Sequence, residues 1–366
     1  NKIKKTPITK VRSVRVYRLE GIDKKTAKFL AEKLLSESIN QKYTIDQQIF
    51  NARSKIEVAY KPGVMNPEVA SILKSAKDLN VKLIAADSSW EYHFFGALSL
   101  ENINELRLYN PLIEYLVDKP PKTLQISGTV GSTNIVSIRN CSDEDLLELS
   151  KDKLFLNLTE MKVIQDYFRK IKRDPTDIEL ETLAQTWSEH CAHKTFKAKI
   201  IIEDKNLPAG RQEKKPLIER IKKEALKHDK NIVSAFGDNS GVMKFYDGYS
   251  ICGKVETHNS PSAIEPYGGA MTGSGGVFRD VLGTGQGAKA IASTDIFCFA
   301  DPNLPKKDLP PGCLSPDYLL KRVVEGVRDY GNRMGIPTNN GSIHFHNDFR
   351  AKPTVIVGAY GIIPTN

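Results

Sequence analysis

The sequence predicts an α/β protein built in three successive parts, and three observations predict it. At both ends of the chain, short apolar runs with strand-like alternation are separated by segments of helical periodicity. Between them, residues 142–192 carry helix-cap signals and no strand pattern. From Lys254 to Asp280, KVETHNSPSAIEPYGGAMTGSGGVFRD sets charged and polar side chains on a strand and follows them with glycine-rich backbone. The expected parts are residues 1–135, 136–196 and 197–366.

In the first part, residues 11–19 (VRSVRVYRL) alternate as a half-buried strand does. Asp23 precedes a helical pattern through Phe29, Leu30, Leu34 and Leu35. KIEVAY, Lys55 to Tyr60, is a second strand, ended by the turn Lys61-Pro-Gly. Asn66-Pro67 starts a helix carrying Val69, Ile72, Leu73 and Ala76, because proline at the first helical position gives up only an amide with no partner there. VKLIAAD (Val81 to Asp87) and WEYHF (Trp90 to Phe94) read as two further strands. Strand, helix, strand thus appears twice, which predicts a small α/β sandwich from a degenerate duplication. His93, among aromatics, is expected to pack rather than to bind a ligand.

In the second part, Ser142 begins a short helix, Thr159 another, and Thr176 with Glu179 forms a capping box for a third. The third carries the stripe Leu180, Leu183, Ala184, Trp187 and Cys191. The segment is polar and short on apolar mass, so it is expected to dock on a neighbour. In the last part, KAKIIIED is a strand, and 203–231 is a charged loop plus a helix. A strand follows near Ala290–Ala300. Ser315-Pro316 caps a long helix through Leu319, Val323 and Val327 that ends at Gly335, and TVIVGAYGII is a closing strand.

Composition narrows the function classes. At 366 residues, 40% hydrophobic and 27% charged, the chain is long enough for two or three cored domains. No apolar run approaches the roughly 20 residues of a membrane span. The basic start has no apolar stretch behind it, so no signal peptide is expected. It also lacks a Met, and the sequence stops just after a strand, which reads as a piece of a longer protein. Five scattered cysteines make no C-x-x-C, which points to a reducing cytoplasm. The net charge of +9 suits an anionic partner. Its basic residues are dispersed and no nucleic-acid motif is present, so a phosphorylated small molecule is expected rather than nucleic acid.

The chemistry concentrates on Lys254–Asp280. Alternation places Lys254, Glu256 and His258 on one strand face, and Ile251, Val255 and Thr257 on the other, which is expected to pack. Lys for phosphate charge, Glu for Mg²⁺ and His for proton transfer suit a metal-bound phosphate; a solvated polar face is the competing reading. Eight glycines in residues 268–287 read as a loop running into a helix through Val277, Phe278, Val281 and Leu282, a phosphate site at a helix N-terminus. A mobile surface loop is the alternative. Arg279 and Asp280 fall off that apolar stripe, Arg279 to grip a phosphate and Asp280 as a second Mg²⁺ ligand. There is no Walker-type phosphate loop. His190, Cys191 and His193 leave a zinc site and a cysteine nucleophile open, although Cys191 sits in the apolar stripe, which favours packing. His344 and His346 alternate on a short strand and read as surface residues.

Three stretches, AQTWSEHCAHKTF, VETHNSPSAIEPYGGAMTGSGGVFRD and GAKA, together resemble the formylglycinamide ribonucleotide amidotransferase family, or phosphoribosylformylglycinamidine synthases. The resemblance implies a PurS-like domain, a helical linker and a PurM-like N-terminal domain of one synthetase half, as the N-terminal third of a long-form member. It implies that ATP phosphorylates the formamide oxygen of formylglycinamide ribonucleotide and that glutamine-derived ammonia displaces the phosphate. A glutaminase and the remaining synthetase domains would be partners, and a homodimer through the sheets is a further expectation. His190 and His258 match the family's active-site histidines, with His258 the proton acceptor. Lys254 matches an ATP contact and His193 a position near ATP. Glu256 and Asp280 match Mg²⁺ ligands. Thr257, His258, Asn259, Ser260 and Arg279 match substrate contacts. The family commonly has a second histidine where this chain has Ser260, and a hydroxyl can hydrogen-bond a substrate without carrying a proton charge. Two other readings stand beside this one: another ATP-dependent synthetase or kinase of the same superfamily, and a non-catalytic assembly module.

Overall fold

The computed structural model describes residues 8–365, except 53, 97–105, 107, 127, 129, 205, 207–210 and 228–229. The chain divides into two compact units: Asn1–Ser127 together with Gly237–Asn366, and Gly128–Phe236.

The first unit opens with a four-stranded antiparallel sheet: β1 (Ile8–Glu20), β2 (Ser54–Tyr60), β3 (Ala85–Gly96) and β4 (Glu114–Leu116), in the order β1-β3-β2-β4. Helix α1 (Lys24–Leu30), capped by Asp23, passes into a π turn at Ala31–Leu35. Helix α2 (Pro67–Asp78) is capped by the Asn66 side chain, which accepts from the Glu68 amide. Of the two strands expected around Asp87, residues 81–84 are not strand, and residues 85–87 run on with the second as one strand, β3. It runs unbroken through Ser88 and Ser89, which are both buried and bond Glu68 and Glu57 through their hydroxyls. His93 is fully buried and bonded to Glu91, 2.5 Å away.

The second unit is a helical body: α3 (Asp143–Ser150), α4 (Leu158–Lys170), α5 (Asp177–Thr186), α6 (Glu189–Ala192) and α7 (Lys194–Lys197). A short ribbon of β5 (Ile200–Glu203) and β6 (Arg211–Lys214), helix α8 (Leu217–Leu226) and strand β7 (Ile232–Ser234) complete it. Capping boxes close α3, α4 and α5, the second from Asn157 rather than Thr159, because the Asn157 side chain reaches the Glu160 amide. Contrary to expectation the unit has a core of its own: Ile138, Leu146, Met161, Ile164, Phe168 and Leu180 are buried together. Its apolar mass escaped notice because it is split over three short helices and the strand-less stretch at Ile138.

The first unit resumes with β8 (Gly241–Lys244), β9 (Tyr249–Thr257), α9 (Asn259–Ile264), α10 (Pro266–Leu282), β10 (Lys289–Phe299), α11 (Pro316–Met334), β11 (Thr338–Phe345) and β12 (Thr354–Pro364). These strands lie in the order β11-β10-β12-β9-β8, antiparallel except for the parallel pair β10–β11. Helices α10 and α11 cover one face of this sheet. Val277, Val281, Val323, Val355, Val357 and Phe299 form the core between helices and strands. Burying each such side chain contributes roughly 1.5–3 kcal/mol. Helix α11 is amphipathic, capped by Ser315 and ended by Gly335 in the left-handed region (φ 68°), as the sequence predicts. All five cysteines are free. Among the described residues no helix is long and apolar enough to cross a membrane.

Candidate functional site

Strand β9 pairs with β12 so that Lys254 lies opposite Ala359 and Glu256 opposite Val357. The same cross-strand rows continue to Ser293 and Asp295 on β10. All of these side chains point to the face covered by α10. The strand therefore buries the side that carries its charges. Lys254, Glu256 and His258 are half-buried, whereas Val255 on the opposite side is 64% exposed and Thr257 is exposed too. The expectation was the reverse, with the apolar side packed.

Glycine explains how a helix can lie on that charged row. Residues 266–282 form one continuous helix, not a loop leading into a helix at Val277. Gly269, Gly273 and Gly276 recur at i, i+4 and i+7, the spacing of one helical face. A Cβ at Gly269 would sit 2.6 Å from the Ser262 nitrogen and 2.7 Å from the Pro261 carbonyl carbon. One at Gly273 would press on the His258 Cβ at 3.1 Å, and one at Gly276 would strike the Glu256 carboxylate. Each helical glycine costs about 1 kcal/mol relative to alanine, offset here by close approach to the strand. That 3–4 spacing was the signal that could have replaced the loop reading. The expected phosphate-binding helix start near Val277 is also absent, since those amides lie mid-helix. The true start of α10 is capped by its own anion, the Glu265 carboxylate, which accepts from the Gly268 amide.

Four expected site residues converge under or beside this helix. Asp280, in the last turn of α10, pairs with Lys254 at 2.7 Å, with both side chains mostly screened from solvent. Glu256 lies against Gly276 and His258 against Gly273. The Nδ1 of His258 is buried and has no hydrogen-bond partner. Its backbone is held from both sides: its amide donates to Val355 (2.9 Å) and its carbonyl accepts from the Ser262 hydroxyl (2.6 Å). Asn259 uses its side-chain oxygen to accept from the Val355 amide at 2.8 Å, so it anchors the turn after the strand. Ser260 and Arg279 are exposed, Arg279 one residue from Asp280. Thr257 points to the opposite side of the sheet from Glu256.

His190 and His193 belong to the helical unit and are exposed. Helix α6 ends at Ala192, and His193 is in the left-handed region (φ 51°), so the two imidazoles do not share one continuous helical face. Cys191 is exposed rather than packed, because the stripe of α5 stops at Trp187. Among the described residues no three His, Cys, Asp or Glu side chains converge as a metal cluster. His344 and His346 are exposed, as expected.

One residue on the covered face was missed. Asp295 is 7% exposed, accepts from Thr338 at 3.1 Å through one oxygen, and leaves the other buried without a partner. Burial pushes its carboxyl up to about 6. It stands in the same row as Glu256 with Val357 between them. An acidic residue at an inward position of STDIFCF was the available clue.

Comparison with known proteins gives two domain matches. Residues 148–194 match the formylglycinamide ribonucleotide amidotransferase linker domain, and residues 237–363 match the N-terminal domain of AIR synthase related proteins. The phosphoribosylformylglycinamidine synthase subunit PurL of Picrophilus torridus is 43% identical over 227 residues, covering 62% of this chain and 27% of its own length. The Thermus thermophilus protein of the same name is 33% identical over 199 residues, 54% of this chain and 23% of its own. The chain thus spans about a quarter of the length of the curated relatives it matches. A structure of Thermotoga maritima PurL complexed with ATP matches at 31% identity over 54% of this chain and 26% of that one, with a TM-score of 0.36, too low to bear on the fold.

Proposed function

We propose that this chain, which belongs to the PurL family of phosphoribosylformylglycinamidine synthases, takes part in the ATP-dependent amidation of formylglycinamide ribonucleotide in purine biosynthesis. One observation carries the reading: Lys254 and Glu256 lie on the covered face of β9 and His258 follows just past its end against Gly273, with Asp280 of α10 closing over Lys254 at 2.7 Å.

In this reading the γ-phosphoryl group of ATP moves to the formamide oxygen. Ammonia then attacks the activated carbon, the C–O bond breaks and inorganic phosphate leaves. Lys254 compensates phosphate charge during the transfer. The attacking nitrogen must lose a proton, and the His258 imidazole is the base offered to it. Exposed Arg279 offers a two-pronged grip for the substrate's own phosphate. Asn259 keeps the turn after His258 in place, and Ser260 is free to hydrogen-bond the ribonucleotide. Glu256 and Asp280 are hard oxygen donors, and two carboxylates completed by phosphate oxygens suit Mg²⁺, which when bound neutralises the polyphosphate. In the Lys254–Asp280 pair, Lys254 would meet polyphosphate charge and Asp280 would help hold the cation. His190 and His193, on the helical unit, are assigned to the same reaction by family resemblance.

In the same reading residues 1–135, 136–196 and 197–366 are the PurS-like, linker and PurM-like N-terminal domains. A glutaminase supplies ammonia from glutamine, further synthetase domains complete the enzyme, and a homodimer forms through the sheets in the cytoplasm. Calorimetric titration with Mg-ADP and then formylglycinamide ribonucleotide tests the site. Lys254→Ala should weaken nucleotide, and Arg279→Ala ribonucleotide, each about tenfold or more. No heat with either ligand, or equal affinity in both variants, would overturn the assignment.

A further inference from the structure

A second cavity of about 580 Å³ lies inside the first unit, away from the Lys254 row. One wall is the face of the β1–β4 sheet with Tyr60, Trp90 and Tyr92; the other is the start of α10 and the outer side of α11, with Tyr267 and Tyr318. The Asn110 side chain ties the walls together by donating to the Ile264 carbonyl at 2.7 Å.

The charges in this cavity do not balance. Arg15 and Arg322 each hold another carboxylate, although the Nε of each is buried without a hydrogen-bond partner, and the Arg322 charge is also felt by Glu114 and Glu265. Arg15 lies 2.5 Å from Glu68, bonds Ser88 at 2.7 Å, and stacks 4.8 Å above the Trp90 ring. Arg322 bonds Glu325 and stacks 4.7 Å above Tyr267. Two further carboxylates, Glu114 and Glu265, make no ion pair among the described residues. Glu114 accepts only the Asn110 amide at 2.6 Å, and Glu265 only the Gly268 amide. Burial, with the neighbouring Glu265 charge adding to it, pushes the Glu114 carboxyl up. Burial also pushes the Tyr318 hydroxyl up to about 12, so that hydroxyl stays neutral.

A cavity of this size, with five aromatic rings and two carboxylates that hold no cation at ion-pair distance among the described residues, has the makings of a site for a positively charged organic molecule. Ring faces attract a cation, and a carboxylate left without a partner in a half-buried place gains most from receiving one. We propose that this cavity binds a small organic cation, with an ammonium or guanidinium group held by Glu114 and Glu265 and its apolar body against the tyrosines. The proposal is independent of the synthetase reading, because none of Lys254, Glu256, His258 or Asp280 lines the cavity.

Agmatine, which carries a guanidinium and an ammonium on a four-carbon body, is the probe, with butyrate as the anionic counterpart. Calorimetric titration of the chain should give saturable single-site binding of agmatine and none of butyrate. Glu114→Gln and Glu265→Gln should each weaken agmatine about tenfold or more, with unchanged far-ultraviolet circular dichroism. The agmatine-against-butyrate preference of the unaltered chain decides the sign of the site even if a variant misfolds. No saturable agmatine binding, butyrate binding in its place, or full affinity in both folded glutamine variants would overturn the proposal.

Discussion

The two sides of strand β9 invert the usual rule. The charged side, with Lys254, Glu256 and His258, lies under α10, while the side with Val255 stands open at 64% exposure. In an ordinary half-buried strand the polar side faces water. The difference teaches that the covered face of this sheet joins an apolar core on β10 and β12 to a charged row on β9. A charged row can be covered only if the covering element brings partners and leaves room. Helix α10 does both, with Asp280 for Lys254 and glycines above Glu256 and His258.

The hardest way to strain that arrangement is to add one methyl group under the helix. Gly269→Ala would place a Cβ 2.6–2.7 Å from backbone atoms of Pro261 and Ser262, which cannot swing aside as a side chain can. A loss on the order of 3 kcal/mol is expected in denaturant unfolding. Gly241→Ala, where nothing lies within 4 Å, should stay within about 0.5 kcal/mol. Equal effects of the two substitutions would mean that α10 does not rest on the turn after β9 as described.

The same contrast marks what the sequence discloses. Elements with a local signature were legible: Asn66-Pro67, Thr176 with Glu179 and Ser315-Pro316 each start a helix where cap chemistry says they should. The shared face of Lys254, Glu256 and His258 was legible too, because strand alternation is a local rule. What covers that face was not, since burial depends on an element that arrives later in the chain. Glycine content suggested loop, and only the i, i+4, i+7 spacing carries the helix. Asp295 was overlooked because it reaches the covered face through register on β12, which sequence does not display. The core of the helical unit was hidden for a similar reason, its apolar residues being shared among three short helices.

A smaller effect is expected from the covered face's unpaired acid. Asp295 has a folded-state value of about 6 against an ordinary 3.8. The folded chain therefore holds this proton more tightly than the unfolded chain does. Its contribution to stability is fully present below about pH 4 and lost as pH rises through about 6. Asp295→Asn should remove that slope and leave the protein more stable than the parent by about 2 kcal/mol at pH 7.5, with little difference at pH 4. Urea unfolding at the two values measures it. A destabilised variant at pH 7.5 would show that the ionised carboxylate is needed where it stands, and would place it beside Glu256 as a working group.

The smallest effect belongs to the open side. Val255→Ser removes apolar surface that already meets water, so folding should change by no more than about 0.5 kcal/mol. Measured by thermal unfolding in dilute solution, the variant should superimpose on the parent. The value of the experiment lies in repeating it at high protein concentration. If a second copy covers this side through its own sheet, the parent's midpoint will climb with concentration and the variant's will climb less, because mass action stabilises the folded partner. If both midpoints stay fixed, the open side is free surface, and the contrast between the two sides of β9 is complete within one chain. A loss of more than 1 kcal/mol in dilute solution would break the comparison itself, since Val255 would then be packing against something in the folded monomer.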